Sequence, residues 1–437
     1  MIKIQDKKDC CGCSACASIC PRQCIAMAED NEGFLYPNVD ESICLNCGLC
    51  EKVCNELHPY DAREPLKVLA AINKNEEIRL KSSSGGIFYI LAEKTIRDGG
   101  VVFGARFDEN WQVVMDYAED MNGMEAFMGS KYVQARMANA YTDAKRFLVA
   151  GKKVLFSGTP CQVAGLHKFL RKPYDNLLTV DFICHGTPSP KVWRMYLDDV
   201  IKTGQQISSV EFRNKTKGWK NFSFNLRYNE ADRTVSMLSS FQQNHYMKAF
   251  LRDLILRPSC YACKARGGSS QSDITIADFW GINTVFPEMD DDKGTGLVFI
   301  NTDKGESSLD FARIDVAETD YERIKPLNPA CYRSPKEHPK REEFFERLDD
   351  ENIITLINDC AKLTVRQQVA MISSRCKSMI KKSLKMIIGG GEREIEQHIV
   401  EIRNTNISLP TNPQIVSICF RCKDDGWKRY NMEIKVQ

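Results

Sequence analysis

The sequence predicts three regions of different class: a small α+β module over residues 1–60, an α/β domain with a mixed, largely buried sheet over 66–150 and 151–345, and a helical, basic tail over 346–437. Three observations point there. Ten of the nineteen cysteines stand between Cys10 and Cys54. From Leu66 onward, apolar runs of strand length lead repeatedly into helical patterns, the signature of a buried sheet with crossover helices. Beyond residue 345 the texture turns to helical periodicity with crowded lysines.

The 437 residues exceed what one core usually holds, so several domains are expected. Lys plus Arg number 60 and Asp plus Glu 58, a net +2, so no global field favours a nucleic acid partner. No run of about 18 apolar residues predicts a membrane-spanning helix. The opening MIKIQDKKDCCGC lacks the apolar core of a secretory signal.

Two identical grids lie over the first module. Cys10, Cys13, Cys16 and Cys20 follow C-x2-C-x2-C-x3-C with Pro21 next; Cys44, Cys47, Cys50 and Cys54 repeat the spacing with Asn55 in the proline's place. This is the iron-sulfur spacing in which the fourth cysteine of each run ligates the other cubane. One cluster is therefore expected on Cys10, Cys13, Cys16 and Cys54, and the second on Cys44, Cys47, Cys50 and Cys20. The pattern resembles the bacterial two-cluster ferredoxin domain, an α+β ferredoxin-like fold; a disulfide or zinc module is the alternative. Thiolates on iron imply a reducing compartment, and a cytoplasmic location is expected. Cys11 and Cys24 lie off the grid and read as small buried apolar residues.

Between the runs, CIAMAEDNEGFLYPNVDESIC reads as two short strands around a turn. Leu57 to Pro65, with two prolines, is a linker. KVLAAINK, VVFGARF and KVLFSGTP are strands; IFYILAEKTI and CQVAGLHKFLRK are helices. At Ser82, Ser83, Ser84, Gly85 and Gly86 hydroxyls and flexible residues precede a helix, either a plain cap or a phosphate cradle. At Gly158, Thr159, Pro160 and Cys161 a strand turns into a helix with Pro160 preset for its first turn. Neither a dinucleotide fingerprint nor a P-loop is present.

LLTVDFICHGTPSP places Cys184 and His185 at a strand end, with a helix beginning near Lys191. His185 is a candidate ligand or proton donor, or a hydrogen-bonded structural residue. SSVEFRNKTKGWKNFSFNLRYN alternates like an antiparallel pair. Its loop offers Arg213, Lys215 and Trp219 either as a solvated hairpin with a packed tryptophan or as a wall meeting a phosphate, carboxylate or ring. Cys260 and Cys263 form another C-x2-C ahead of the strand DITIADFWG. With Cys161 and Cys184 they are candidates for a third cluster, zinc and free thiols being the alternatives. In the tail, residues 365–391 read as a basic amphipathic helix, suited to packing on the chain itself, to a partner or to anionic lipid. Cys419 and Cys422 form a last C-x2-C to which no role is assigned.

In order, the two cysteine runs, SSSGGI, SKYVQA (Ser130 to Ala135), LFSGTPCQVAGL, FICHGTPSP, FRNKTKGW, SCYAC and DITIADFWGI resemble the beta subunit of the coenzyme F420 hydrogenase/dehydrogenase family over residues 5–340. Lys264 to Ser272 (KARGGSSQS) depart from its usual pattern. The resemblance implies a flavin, most readily FAD, beside the two [4Fe-4S] clusters, and electron exchange with a deazaflavin or another hydride-exchanging substrate; some relatives are associated with surface-polysaccharide synthesis. On it, Ser83, Ser84, Gly85 and Gly86 would hold the flavin's phosphates and Thr159 and Cys161 would lie near its ring. Arg213, Lys215 and Trp219 would meet substrate or cofactor. The rival expectation is an electron-transfer subunit without its own substrate, serving a redox partner protein or a small-molecule electron carrier.

Overall fold

The computed structural model describes residues 1–362, 415–422 and 426–433. In the cysteine-rich module, β1 (Ile25–Glu29) and β2 (Leu35–Val39) pair antiparallel, as the sequence predicts, between the short helices Ala15–Ile19 and Leu49–Lys52. Ile2, Ile4, Cys24, Ile25 and Val39 form a small core among the cysteines of both runs.

The body is built on one eight-stranded sheet. Its strands are β3 (Lys67–Asn73), β4 (Val101–Phe107), β5 (Val113–Ala118), β6 (Val154–Ser157) and β7 (Leu177–Phe182), continued later in the chain. After β7 come β8 (Gln205–Asn214), β9 (Ser223–Glu230) and β10 (Arg233–Ser240), a separate antiparallel sheet in the order β10-β9-β8. The large sheet then resumes with β11 (Ile274–Asp278), β12 (Gly296–Ile300) and β13 (Ile314–Thr319), giving the order β13-β3-β12-β11-β7-β6-β4-β5. Strands β4, β6, β7 and β11 run parallel, flanked by antiparallel β5 and β12. The sheet is therefore mixed, as expected.

Alternation along β4 and β6 explains why both faces are covered. Val101, Phe103, Val154 and Phe156 face the helices Ala140–Val149 and Pro160–Leu170, in one core with Cys11, Cys13 and Val53 of the cysteine-rich module. Val102 and Leu155 face the helix Ile87–Arg97 on the other side. Trp193, Phe212, Phe224 and Tyr246 centre a third core, beneath the β8–β10 sheet.

Two helices, Arg341–Glu346 and Ile353–Cys360, follow the sheet, and the second falls within the stretch where a helical tail is expected. Ile415–Cys422 and Gly426–Glu433 instead pair as an antiparallel hairpin, which corrects a wholly helical tail. The β-rich run IVSICF followed by an Asp-Asp-Gly turn sequence is the local reason. The basic helix expected at 365–391 lies outside the described residues. Among the described residues no helix is long and apolar enough to cross a membrane.

Candidate iron-sulfur site and adjoining crevice

The two cysteine runs adopt one backbone shape twice. Gly12 and Ser14 have φ of 71° and 63°, and Asn46 and Gly48, at the matching places of the second run, 53° and 72°. These left-handed residues curl each run around its sulfurs and expose amides to them. The Asn46 amide donates to Cys44 Sγ (3.4 Å) and the Ile2 amide to Cys50 Sγ (3.3 Å). Cys10, Cys13, Cys16 and Cys54 line one cavity with Cys11 and Glu56; Cys20, Cys44, Cys47 and Cys50 line another with Cys24.

Among the described residues no three of these cysteines hold their sulfurs within 4.8 Å of one another. Four thiolates on a single zinc would sit about 3.8 Å apart, given Zn–S bonds of about 2.3 Å. Burial pushes the Cys16 thiol up to about 12, so that without a bound cation its sulfur stays protonated. Asn55, buried to 1 % beside Cys54, has no protein partner for either amide atom, leaving a donor that a cluster sulfur would satisfy.

Four more cysteines come together where parallel strands end. Cys161 opens the helix Pro160–Leu170, whose start is fastened by the Thr159 amide donating to Gln162 Oε1 (2.9 Å). Cys184 follows β7, and Cys260 and Cys263 bracket the turn Pro258–Ala262. Each of the latter three is within electrostatic reach of Cys161. The Thr187 amide donates to Cys260 Sγ at 3.3 Å. Burial raises the Cys184 thiol well above its ordinary value and Cys263 to about 12. Cys11 stands between the sets. Its thiol contacts both Cys13 and Cys161, a sulfur bridge that spacing alone had no means to reveal. Both off-grid cysteines are buried as expected, and Cys24 Sγ lies 3.3 Å from Cys20 Sγ.

The segment 264–272 fastens the linker of the cysteine-rich module. Gly267 O accepts from the Arg63 amide (3.0 Å), and a side chain at Gly268 would strike Arg63 O at 2.2 Å. Gln271 donates to Asp61 O and Lys264 to Glu56 O.

Most of the remaining candidates lie around Asp278 at the carboxyl end of β11, with their roles revised. Arg213 pairs with Asp278 (2.7 and 3.2 Å) and donates to Ser83 O. Trp219 donates to the same carboxylate (2.9 Å) and is buried to 1 %, so it cannot cover a ligand. Trp280, stacked on it at 5.0 Å and 7° and 39 % exposed, presents the outer ring face instead. Lys215 gives its three donors to the carbonyls of Arg79, Ser84 and Lys293, while burial and nearby Arg213 push it down to about 7. Its ammonium is committed inside the fold rather than offered to a ligand.

Ser83 Oγ accepts from the amide and hydroxyl of Ser130 (both 2.8 Å), and Ser84 Oγ donates to Thr295 O. A methyl on Gly85 would meet Ala71 O at 2.3 Å, so Gly85 serves close packing. Gly86, at φ 80°, begins the helix Ile87–Arg97 without a side-chain cap, leaving amides open at its start. Thr159 turns its hydroxyl to Cys161 Sγ (3.1 Å). His185 points its ring at Asp253 (2.6 Å) and packs on Phe250, the structural use of a histidine. The segment after Ser130 joins the two regions: Tyr132 stacks on Phe250, and Gln134 donates to Cys11 O (3.1 Å).

Residues 151–323 match the family model for the C terminus of the coenzyme F420 hydrogenase/dehydrogenase beta subunit, and residues 9–56 match a 4Fe-4S dicluster domain. Among solved structures, a chain of the F420-reducing [NiFe] hydrogenase complex from Methanosarcina barkeri is similar at 20 % identity and a TM-score of 0.43, over 62 % of this chain and 88 % of that chain. No curated protein matches. Residues 151–323 thus carry the C-terminal region of the coenzyme F420 hydrogenase/dehydrogenase beta subunit family, and a 4Fe-4S dicluster domain stands ahead of it.

Proposed function

We propose that the chain is an iron-sulfur flavoprotein oxidoreductase that exchanges electrons between [4Fe-4S] clusters and an organic hydride donor or acceptor, a deazaflavin coenzyme or another substrate, surface-polysaccharide metabolism included. The observation that carries this reading is the grouping of twelve cysteines into three sets of four, with Cys11 in contact with members of two of them. On it, Cys10, Cys13, Cys16 and Cys54 hold one cluster, Cys20, Cys44, Cys47 and Cys50 a second, and Cys161, Cys184, Cys260 and Cys263 a third. Such clusters supply one-electron transfer, and a flavin joins that to two-electron hydride chemistry.

The chain's own residues prepare both. The amides of Ile2, Asn46 and Thr187 donate to cysteine sulfurs and so favour the thiolate each would become. For FAD, the residues that fit are the open helix start at Gly86, where phosphate oxygens find amides, and the exposed face of Trp280 for a ring. Ser83 and Arg213 act one step removed, Ser83 held by Ser130 and Arg213 by Asp278. The reducing compartment that thiolates need supports a cytoplasmic location.

Iron counting and cofactor extraction on anaerobically purified protein test the reading. About twelve irons and about one flavin per chain are expected; about eight irons mean two cubanes only. An unchanged higher count in Cys260→Ser with Cys263→Ser refutes those ligands. A cluster-loaded sample that holds no flavin and takes up no added FAD refutes the flavin.

A second reading, an electron-transfer subunit that serves a protein partner, is favoured by one observation. Ile43 and Leu45 are exposed beside the exposed Cys47, an apolar rim at one cysteine set. Substrate turnover by the isolated chain with a chemical reductant would rule against it.

A further inference from the structure

Arg257 has no solvent-exposed surface. It sits three residues before Cys260 and reaches into the opposite cysteine loop. Its Nε donates to Cys10 O at 2.7 Å, and its two terminal nitrogens donate to Gln134 Oε1 (3.1 Å) and Leu35 O (3.0 Å). The rings of Tyr36 and Phe34 flank it at 4.2 and 5.4 Å. A Cβ on Gly12 would come within 2.8 Å of the guanidinium, so the loop from Cys10 to Cys13 lies directly on it.

Among the described residues no carboxylate forms an ion pair with Arg257. Glu56, the buried carboxyl on the wall of the Cys10 cavity, lies 3.9 Å from Lys264 and against the Cys11 thiol; it is within electrostatic reach of Arg257 without pairing with it. A guanidinium removed wholly from water without a directly paired anion is costly, and carbonyls, ring faces and a carboxyl shared with Lys264 offset only part of that. The missing negative charge is what four thiolates around a cubane would supply at the Cys10 set. The other cysteine set is placed differently: Arg22 on its wall is solvent-exposed and therefore screened, the Met1 ammonium there is neutralised by Glu51 at 3.1 Å, and Cys47 is open to water.

We propose that Arg257 is the charge that raises the reduction potential of the cluster held by Cys10, Cys13, Cys16 and Cys54. The inference rests on the cluster reading above and deepens it. Burial would oppose the extra negative charge of a reduced cluster at the Cys10 set, and the Arg257 guanidinium would offset that, keeping such a cluster reducible despite its burial. The step is the gain of one electron from a low-potential donor, with no bond or proton changed at Arg257. It makes Arg257 a positioning residue for charge, not a ligand.

The test is a dithionite titration of the anaerobically reconstituted full chain, followed by electron paramagnetic resonance. Cys47→Ser marks the signal of the outer cluster. Arg257→Gln should move the inner cluster's wave to more negative potential by about tenfold in its reduction equilibrium, about 59 mV for one electron, and leave the outer wave in place. Arg257→Lys, which keeps the charge, should restore most of it. Gln134→Glu, which sets a carboxylate against the guanidinium, should move the same wave the same way without touching Arg257. Unmoved waves in an Arg257→Gln protein with its full iron content overturn the inference and leave the cluster reading standing. Should Arg257→Gln lose its clusters, an unmoved wave in Gln134→Glu overturns it. A wild-type protein that releases no acid-labile sulfide overturns both.

Discussion

The Arg213–Asp278 pair shows how a side chain chosen for ligand contact is spent inside the fold. Both partners are largely buried, and Asp278 also accepts from Trp219. Removing one member of a buried pair typically costs about 3–5 kcal/mol, because the other charge is left uncompensated. Asp278→Ala should therefore lower unfolding free energy by about that amount in a urea titration, and Asp278→Asn, which keeps an acceptor for Trp219, by less. At the cysteines, the off-grid and on-grid positions separate cleanly. Cys11→Ser should leave bound iron unchanged while Cys13→Ser loses about four irons per chain; equal losses in both would make Cys11 a ligand.

Elements meet in this protein through glycines that admit no side chain. Gly85 lies between β3 and β12, where a methyl would meet Ala71 O at 2.3 Å and Gly296 N at 2.5 Å, both backbone atoms that cannot swing aside. Gly85→Ala should destabilise by at least the 1–3 kcal/mol usual for overpacking, roughly, seen as a lower denaturation midpoint. A Cβ on Gly165, in the helix Pro160–Leu170, would come within 3.1 Å of Cys13 Sγ and 2.5 Å of the Tyr141 hydroxyl. Gly165→Ala should push that helix off the cysteine loop and reduce iron bound at the Cys10 set, with the Cys44 set unaffected. Loss of iron from both sets would show a general unfolding instead.

For the whole molecule, the described residues up to Lys362 form one compact unit in which module and body share a core. Cluster binding should then stabilise the body as well as the module, since ligand sets that form only in the folded state couple binding to folding. Reconstituted protein should melt above chelator-treated protein when followed at the body's tryptophans. Equal melting temperatures would show that the module folds without help from its clusters.

The cysteine runs, the β1–β2 hairpin, the parallel strands and the helix starts at Gly86 and Pro160 were all legible in the sequence, because ligand spacing, strand alternation and capping are local. The tail hairpin was legible too in IVSICF and its Asp-Asp-Gly turn sequence, yet the lysine-rich stretch before it drew the whole tail toward helix. What only tertiary structure decided is who meets whom across more than a hundred residues. Cys11 against Cys161, Arg257 against Cys10, and Ser83 against Ser130, a nearer pairing of the same kind, leave no periodic trace. Trp280 rather than Trp219 presents the open ring face, because burial, set by the packing of separate strands, determines which ring reaches solvent.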